Sequence, residues 1–359
     1  MKDSLARRVL LSLFSVVLFL ALTEGVLSWA YAFAKTREAM AARERPEHKH
    51  AQHDAELGWT NQPSRVVRDL YGPGKHFSTN AQGFRAREEY SAAVPSGRQR
   101  IVFAGDSFTM GFGVGDEDTY PAQLERLDAR LQSVNLGMGA YGADQAFLRV
   151  RRDAKGLAKN LIVFAFIAHD FRRMELDYYM APKPRLALVN GKLEIENAPV
   201  PERDAGEDAR LAATQFLSWL DLGKALTRAA SWLRPKPSRE TVERAGAAPN
   251  GFPFAPVAEA MFAELAALAR DQNAALLFVY LPVRGELLAP EQPVRDWTER
   301  AAAARAIAFF DASPAFRGRD PTPLFGLDAH YSEAGNALVA ETLLPEVQRL
   351  TGLVPIAEE

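Results

Sequence analysis

With 359 residues and 48% apolar composition, the chain is long enough to bury at least one full core, which excludes disorder as its main state. Lys+Arg number 43 against 45 Asp+Glu, a formal charge of -2, so no global basic field exists to hold nucleic acid or an acidic substrate. The absence of cysteine excludes a thiol nucleophile, thiolate metal sites and disulfides, and is neutral on the redox state of the compartment.

At the N-terminus, Lys2, Arg7 and Arg8 precede an uncharged apolar run from Val9 to Leu22. Continued through Val26 to Ala34, it makes a helix of about 39 Å at ~1.5 Å per residue, enough to span a bilayer. Glu24 falls past the middle of that span, and Trp29 and Tyr31 suit its interfacial end. Residues 1–34 therefore read as a transmembrane anchor, with the lipid bilayer as partner, in preference to a signal segment cut after Ala32-Phe33-Ala34. Basic residues on both flanks give only weak support for a cytoplasmic N-terminus. Residues 35–56 are charged and Ala-rich to about Asp54 and read as a solvated stalk. His48, His50 and His53 cluster there without fixed geometry, so a hydrated linker is preferred to a metal site.

Residues 57–359 read as one domain. From Arg100 a βα alternation begins, with the apolar run Ile101 to Ala104 followed by an amphipathic stretch carrying Leu124, Leu127 and Leu131 on one face. Next come a strand over Ser133 to Leu136, a helix from Asp144 as N-cap, and a strand over Leu161 to Ile167. A helix with Val257, Met261, Leu265 and Leu268 then leads to strands over Ala275 to Leu281 and Ile307 to Phe310. Strands apolar throughout and alternating with helices predict a parallel sheet covered on both faces, a three-layer, flavodoxin-like α/β fold. Between about Arg172 and Asn250 the alternation breaks. Asn190-Gly191 between two alternating runs predicts a hairpin, and Leu211 to Leu233 a helix. This insertion is suited to a lid or substrate wall, and inert decoration is as common.

Open parallel sheets bind ligands beyond the carboxyl ends of their strands. Ser107, in Gly105-Asp106-Ser107-Phe108, stands at the first such end, where it reads either as a nucleophile awaiting a base or as a helix cap. Of six histidines, three lie in the stalk, and of His76, His169 and His330 only the last two end or follow predicted strands. His330 enters the final helix two residues after Asp328, whose carboxylate is expected to accept a hydrogen bond from one imidazole nitrogen while the other takes the Ser107 proton. The competing reading makes Asp328 and His330 a cap and a surface residue. An oxyanion needs preorganised donors, and the Ser107 amide, the small-residue stretch Asn135 to Gly142 and His169 at the third strand's end are candidates. A tight turn and a packed histidine are the plainer alternatives for the last two.

Taken in order, these blocks resemble the SGNH/GDSL hydrolase superfamily over roughly residues 57–348. Gly105-Asp106-Ser107-Phe108 resembles its nucleophile block, and Asn135 to Gly142 the block that supplies a glycine amide. Ala168-His169-Asp170 falls where the family has Gly-x-Asn-Asp, and Asp328-Ala329-His330 falls on the closing acid and histidine. Three departures stand out: Ala140 at the glycine position, His169 for the asparagine, and Asp-x-His where Asp-x-x-His is commoner. The shortened form is similar to that of bacterial polysaccharide O-acetyltransferases. Glu56-Leu57-Gly58-Trp59 and Phe77 to Arg85 resemble the leader of membrane-anchored bacterial members; their plain alternative is a turn-rich segment beside the first strand.

The resemblance implies acyl-ester chemistry through Ser107, His330 and Asp328, with Ser107, Ala140 and His169 forming the oxyanion hole and no metal or organic cofactor. It implies an esterase or O-acyltransferase acting on an acylated cell-envelope carbohydrate from the periplasmic side of the cytoplasmic membrane, with an envelope acyl-donor protein as a candidate partner. The competing expectation is a non-catalytic envelope glycan-binding protein of the same fold.

Overall fold

The structure, a computed structural model, describes residues 7–8, 10–19, 22–23, 49–202, 252–288 and 292–355. The chain divides into two compact units, residues 1–48 with 203–250, and residues 49–202 with 251–359. In the first, the described residues are helical and exposed. Among the described residues no helix is long and apolar enough to cross a membrane. Much of the span expected over 1–34, and all of the helix expected over 211–233, lies outside them.

The second unit is built on five parallel strands: β1 (Gln99–Ala104), β2 (Leu131–Asn135), β3 (Leu161–Phe166), β4 (Ala275–Tyr280) and β5 (Ala308–Asp311). Their spatial order is β2-β1-β3-β4-β5, the flavodoxin-like order. Phe103 of β1 pairs with Asn135 of β2 on one side and Val163 of β3 on the other. Alternate residues serve the two faces. Val102 and Ala104 pack towards α3 (Ala143–Asp153), α5 (Ala255–Asp271) and α6 (Pro293–Ala303). Ile101 and Phe103 pack towards α2 (Tyr120–Leu127), α7 (Ser313–Phe316) and α8 (Glu333–Thr351). The expected three layers are present. Strand order reverses between β1 and β3, so the crevice of the sheet opens at the carboxyl end of β1, where α1 (Ser107–Met110) begins.

Four local expectations need correction. Leu131 does not share a helix face with Leu124: α2 stops at Leu127, where Asp128 turns the chain and holds Arg130 and Gln348 with its carboxylate, and Leu131 opens β2. Asp144 is not the cap of α3. Gly142 is, and the Asp144 carboxylate, fully buried in the first turn, is taken by Lys183. Ala51–Asp54, placed by its polarity in the stalk, is a strand paired antiparallel with Gly58–Asn61. His50, read with the hydrated linker, is buried, stacked on Phe77 at 4.0 Å and donating from Nδ1 to Asn61 Oδ1 at 3.0 Å. The hairpin Arg185–Val189 with Lys192–Glu196 forms as expected, turning through left-handed Asn190 and Gly191.

Candidate active site

Gly105 directly follows β1, where the chain has no room for a side chain: a Cβ there would lie 2.3 Å from Thr109 Oγ1 and 2.6 Å from the Ala165 carbonyl. Asp106 caps the short α1, its Oδ1 accepting from the Phe108 N–H at 2.9 Å. Ser107, first residue of that helix, has no intrahelical acceptor for its own N–H and presents its hydroxyl at the crevice. Asn135, at the tip of β2, stitches the neighbouring block in place, donating to the Thr109 carbonyl and accepting from the Gly137 N–H, each at 2.9 Å. Gly137 packs so closely that a Cβ would lie 2.2 Å from the Met110 nitrogen.

On the opposite wall, the turn Leu327–Ala329 delivers His330, and Ser332 then caps α8. His330 Nε2 lies 2.7 Å from Ser107 Oγ. The ring stands between Phe108 and Phe112, 4.6 Å from each centroid. Burial in this apolar slot holds the imidazole below its ordinary pKa, and the negative charge of Asp106 pulls the other way. A neutral imidazole in contact with a serine hydroxyl is arranged to accept its proton.

The expected hydrogen bond from a His330 ring N–H to the Asp328 carboxylate is not formed. Asp328 and Ala329 both adopt left-handed backbone conformations, with φ of 49° and 59°, and the Asp328 side chain is exposed. Leu327 and Asp328 favour the charged form of the ring through their main chain, and the Asp328 charge favours it as well without a hydrogen bond. No group among the described residues makes a well-formed hydrogen bond to buried Nδ1.

Of the expected oxyanion donors, Ser107 is in the crevice, and Ala140, at φ 64°, lies in the loop between β2 and α3. Left-handed alanine is a strained choice, on the order of 1 kcal/mol, that surrounding contacts must hold. His169 stands exposed in the first turn of α4 (Ala168–Arg173), with its ring in no hydrogen bond among the described residues. Its neighbour Asp170 is turned inward. Arg173 Nη1 reaches Asp170 Oδ1 at 2.8 Å, the Tyr141 carbonyl at 2.9 Å and Asp106 Oδ2 at 3.4 Å, joining all three strand-end blocks. Burial, reinforced by the nearby Asp106 charge, pushes the Asp170 carboxyl well above the usual carboxylate range. Sequence reasoning missed Arg173, although Asp170 and Arg173 at i,i+3 on one helix are a readable pairing signal. Among the described residues no three histidine or carboxylate side chains gather as a metal site.

No family model and no curated protein matches the chain. Among solved structures it is similar to TesA, at 13% identity over 70% of this chain and 99% of that one, with a TM-score of 0.42. It is similar to a member of the lipolytic protein G-D-S-L family from Veillonella parvula, at 12% identity over 70% and 99% of the two chains, TM-score 0.40. A catalytic mutant of Axe2, an acetylxylan esterase from Geobacillus stearothermophilus, matches at 13% identity over 74% and 100%, TM-score 0.41.

Proposed function

We propose that the chain is a serine-dependent acyl-ester hydrolase or O-acyltransferase of the SGNH/GDSL kind, with Ser107 as nucleophile and His330 as general base. The observation that carries this reading is the 2.7 Å approach of Ser107 Oγ to His330 Nε2 at the carboxyl end of β1. Ser107 attacks the acyl carbonyl while His330 accepts its proton. The N–H groups of Ser107 and Ala140, with the His169 ring, stabilise the oxyanion. His330 returns the proton to the departing alkoxide, leaving an acyl-enzyme. A second hydroxyl, of water or of an acceptor sugar, then gives its proton to His330 and takes the acyl group, and His330 returns that proton to the departing Ser107 Oγ. Asp328 enters this scheme only if its turn rearranges around bound substrate, bringing the carboxylate to Nδ1.

The substrate we propose is an O-acylated carbohydrate of the cell envelope, reached from a cytoplasmic-membrane anchor over residues 1–34, with an envelope protein supplying the acyl donor if the enzyme is a transferase. Support comes from the apolar run behind Arg7 and Arg8 and from the short Asp-x-His block. A fluorophosphonate is expected to label the wild-type chain and not Ser107→Ala, and absence of labelling in folded wild type would sink the enzyme reading. Added envelope glycan that diverts acetyl from hydrolysis identifies a transferase; hydrolysis undiverted by any glycan identifies an esterase. The second reading, a non-catalytic glycan-binding protein, is favoured by the exposed His169 and by Ala140 at a glycine position, and predicts glycan binding without labelling.

A further inference from the structure

We infer that the strand Gly58–Asn61, which precedes the sheet and carries no catalytic group, sets the oxyanion site, with Trp59 and Tyr141 as the positioning pair that aims the Ala140 N–H. The inference rests on the acyl-ester reading of Ser107 and His330.

Trp59 Nε1 donates to the Gly139 carbonyl at 2.9 Å. That carbonyl and the Ala140 N–H belong to one planar trans peptide, in which C=O and N–H point in opposite directions. Fixing the oxygen at Trp59 therefore fixes the heading of the N–H. A hydrogen bond accepted by the oxygen also polarises the peptide, strengthening the N–H as a donor. Neither the Gly139 oxygen nor the Ala140 nitrogen takes part in a strand or helix ladder, so no regular structure does this aiming.

The other side of Ala140 is held by the same residue. Tyr141, fully buried, donates from its hydroxyl to the Trp59 carbonyl at 2.5 Å, and the two rings meet edge to face at 5.6 Å. Trp59 thus grips both chain neighbours of a residue held at φ 64°. It is itself held in register, pairing with His53 across the hairpin while Gln145 Nε2 donates to the Leu57 carbonyl at 2.8 Å.

The test separates shape from hydrogen bonding in the full chain. Replacing Trp59 with β-(3-benzothienyl)alanine keeps the bicyclic ring and deletes the N–H, and Tyr141→Phe deletes the hydroxyl. With p-nitrophenyl acetate, each change is expected to lower kcat by about 10- to 100-fold with KM within about twofold, because the lost stabilisation belongs to the transition state. The rate of fluorophosphonate labelling falls in parallel, since the phosphonyl oxygen occupies the same donors. Folded variants with wild-type kcat and labelling rate overturn the inference and leave the acyl-ester reading standing. A wild type that neither turns over nor labels overturns both. Should Trp59→Phe also be made and fail to fold, the other two variants still decide.

Discussion

His330 and Asp106 are coupled through the apolar slot that holds the ring: burial outweighs the pull of Asp106, and the imidazole is held below its ordinary value. A base works when neutral, so activity is full above its pKa and lost as pH falls through it. The acid limb of kcat/KM is expected below the unperturbed histidine value of about 6.5. Asp106→Asn keeps the cap of α1 but removes the negative charge that favours the charged ring, so the limb moves to still lower pH. A pH profile on the two proteins checks this, and a limb moving upward contradicts it.

Asp328→Ala is expected to lower kcat/KM by less than about tenfold, because the exposed carboxylate makes no bond to Nδ1. Removing a carboxylate that fixes its histidine costs on the order of 10⁴. A loss of that size would mean the turn closes on substrate and brings Asp328 to the ring.

Phe112 forms one wall of the slot and is itself buried. Phe112→Ala opens the ring to water, so the His330 pKa rises towards its ordinary value and the acid limb moves up. The cavity left behind destabilises the fold by about 3–5 kcal/mol, measurable by urea unfolding. Stability loss without movement of the limb would show that Phe112 packs but does not desolvate the ring.

The Lys183 ammonium and the Asp144 carboxylate are both fully buried, 2.7 Å apart, and the ammonium also reaches the Pro184 carbonyl at 2.8 Å. Lys183→Met leaves a buried carboxylate uncompensated and is expected to cost about 3–5 kcal/mol. Adding Asp144→Leu removes the orphaned charge and restores much of the loss. Urea midpoints of the two variants decide, and equal midpoints would argue against the pair as a unit.

The parallel sheet was legible because Ile101 to Ala104, Leu161 to Phe166 and Ala275 to Tyr280 are short unbroken apolar runs covered on both sides, whereas β2 is broken by Gln132 and Ser133 and its start reads as a helix face. Ser107 and His330 were legible because one strand end and an elimination among histidines point to them, and Asn190-Gly191 because its turn chemistry is local. What stayed hidden depends on partners distant in the chain or on backbone conformation. Ala51–Asp54 reads as polar linker until Gly58–Asn61 is set beside it. Asp144 resembles an ordinary cap until Lys183 arrives from 39 residues away. Proximity in sequence argued for Asp328 as the partner of His330, yet in a turn of two left-handed residues the Asp328 side chain is exposed and makes no hydrogen bond to the ring.

Ser107 and His330 are 223 residues apart in the chain. During synthesis Ser107, its strand and the glycine-rich loop emerge well before His330, which stands at the threshold of α8. On the acyl-ester reading the nascent chain therefore holds a serine without a base until that segment appears. A chain cut anywhere between Ser107 and His330 is then expected to be inert towards esters.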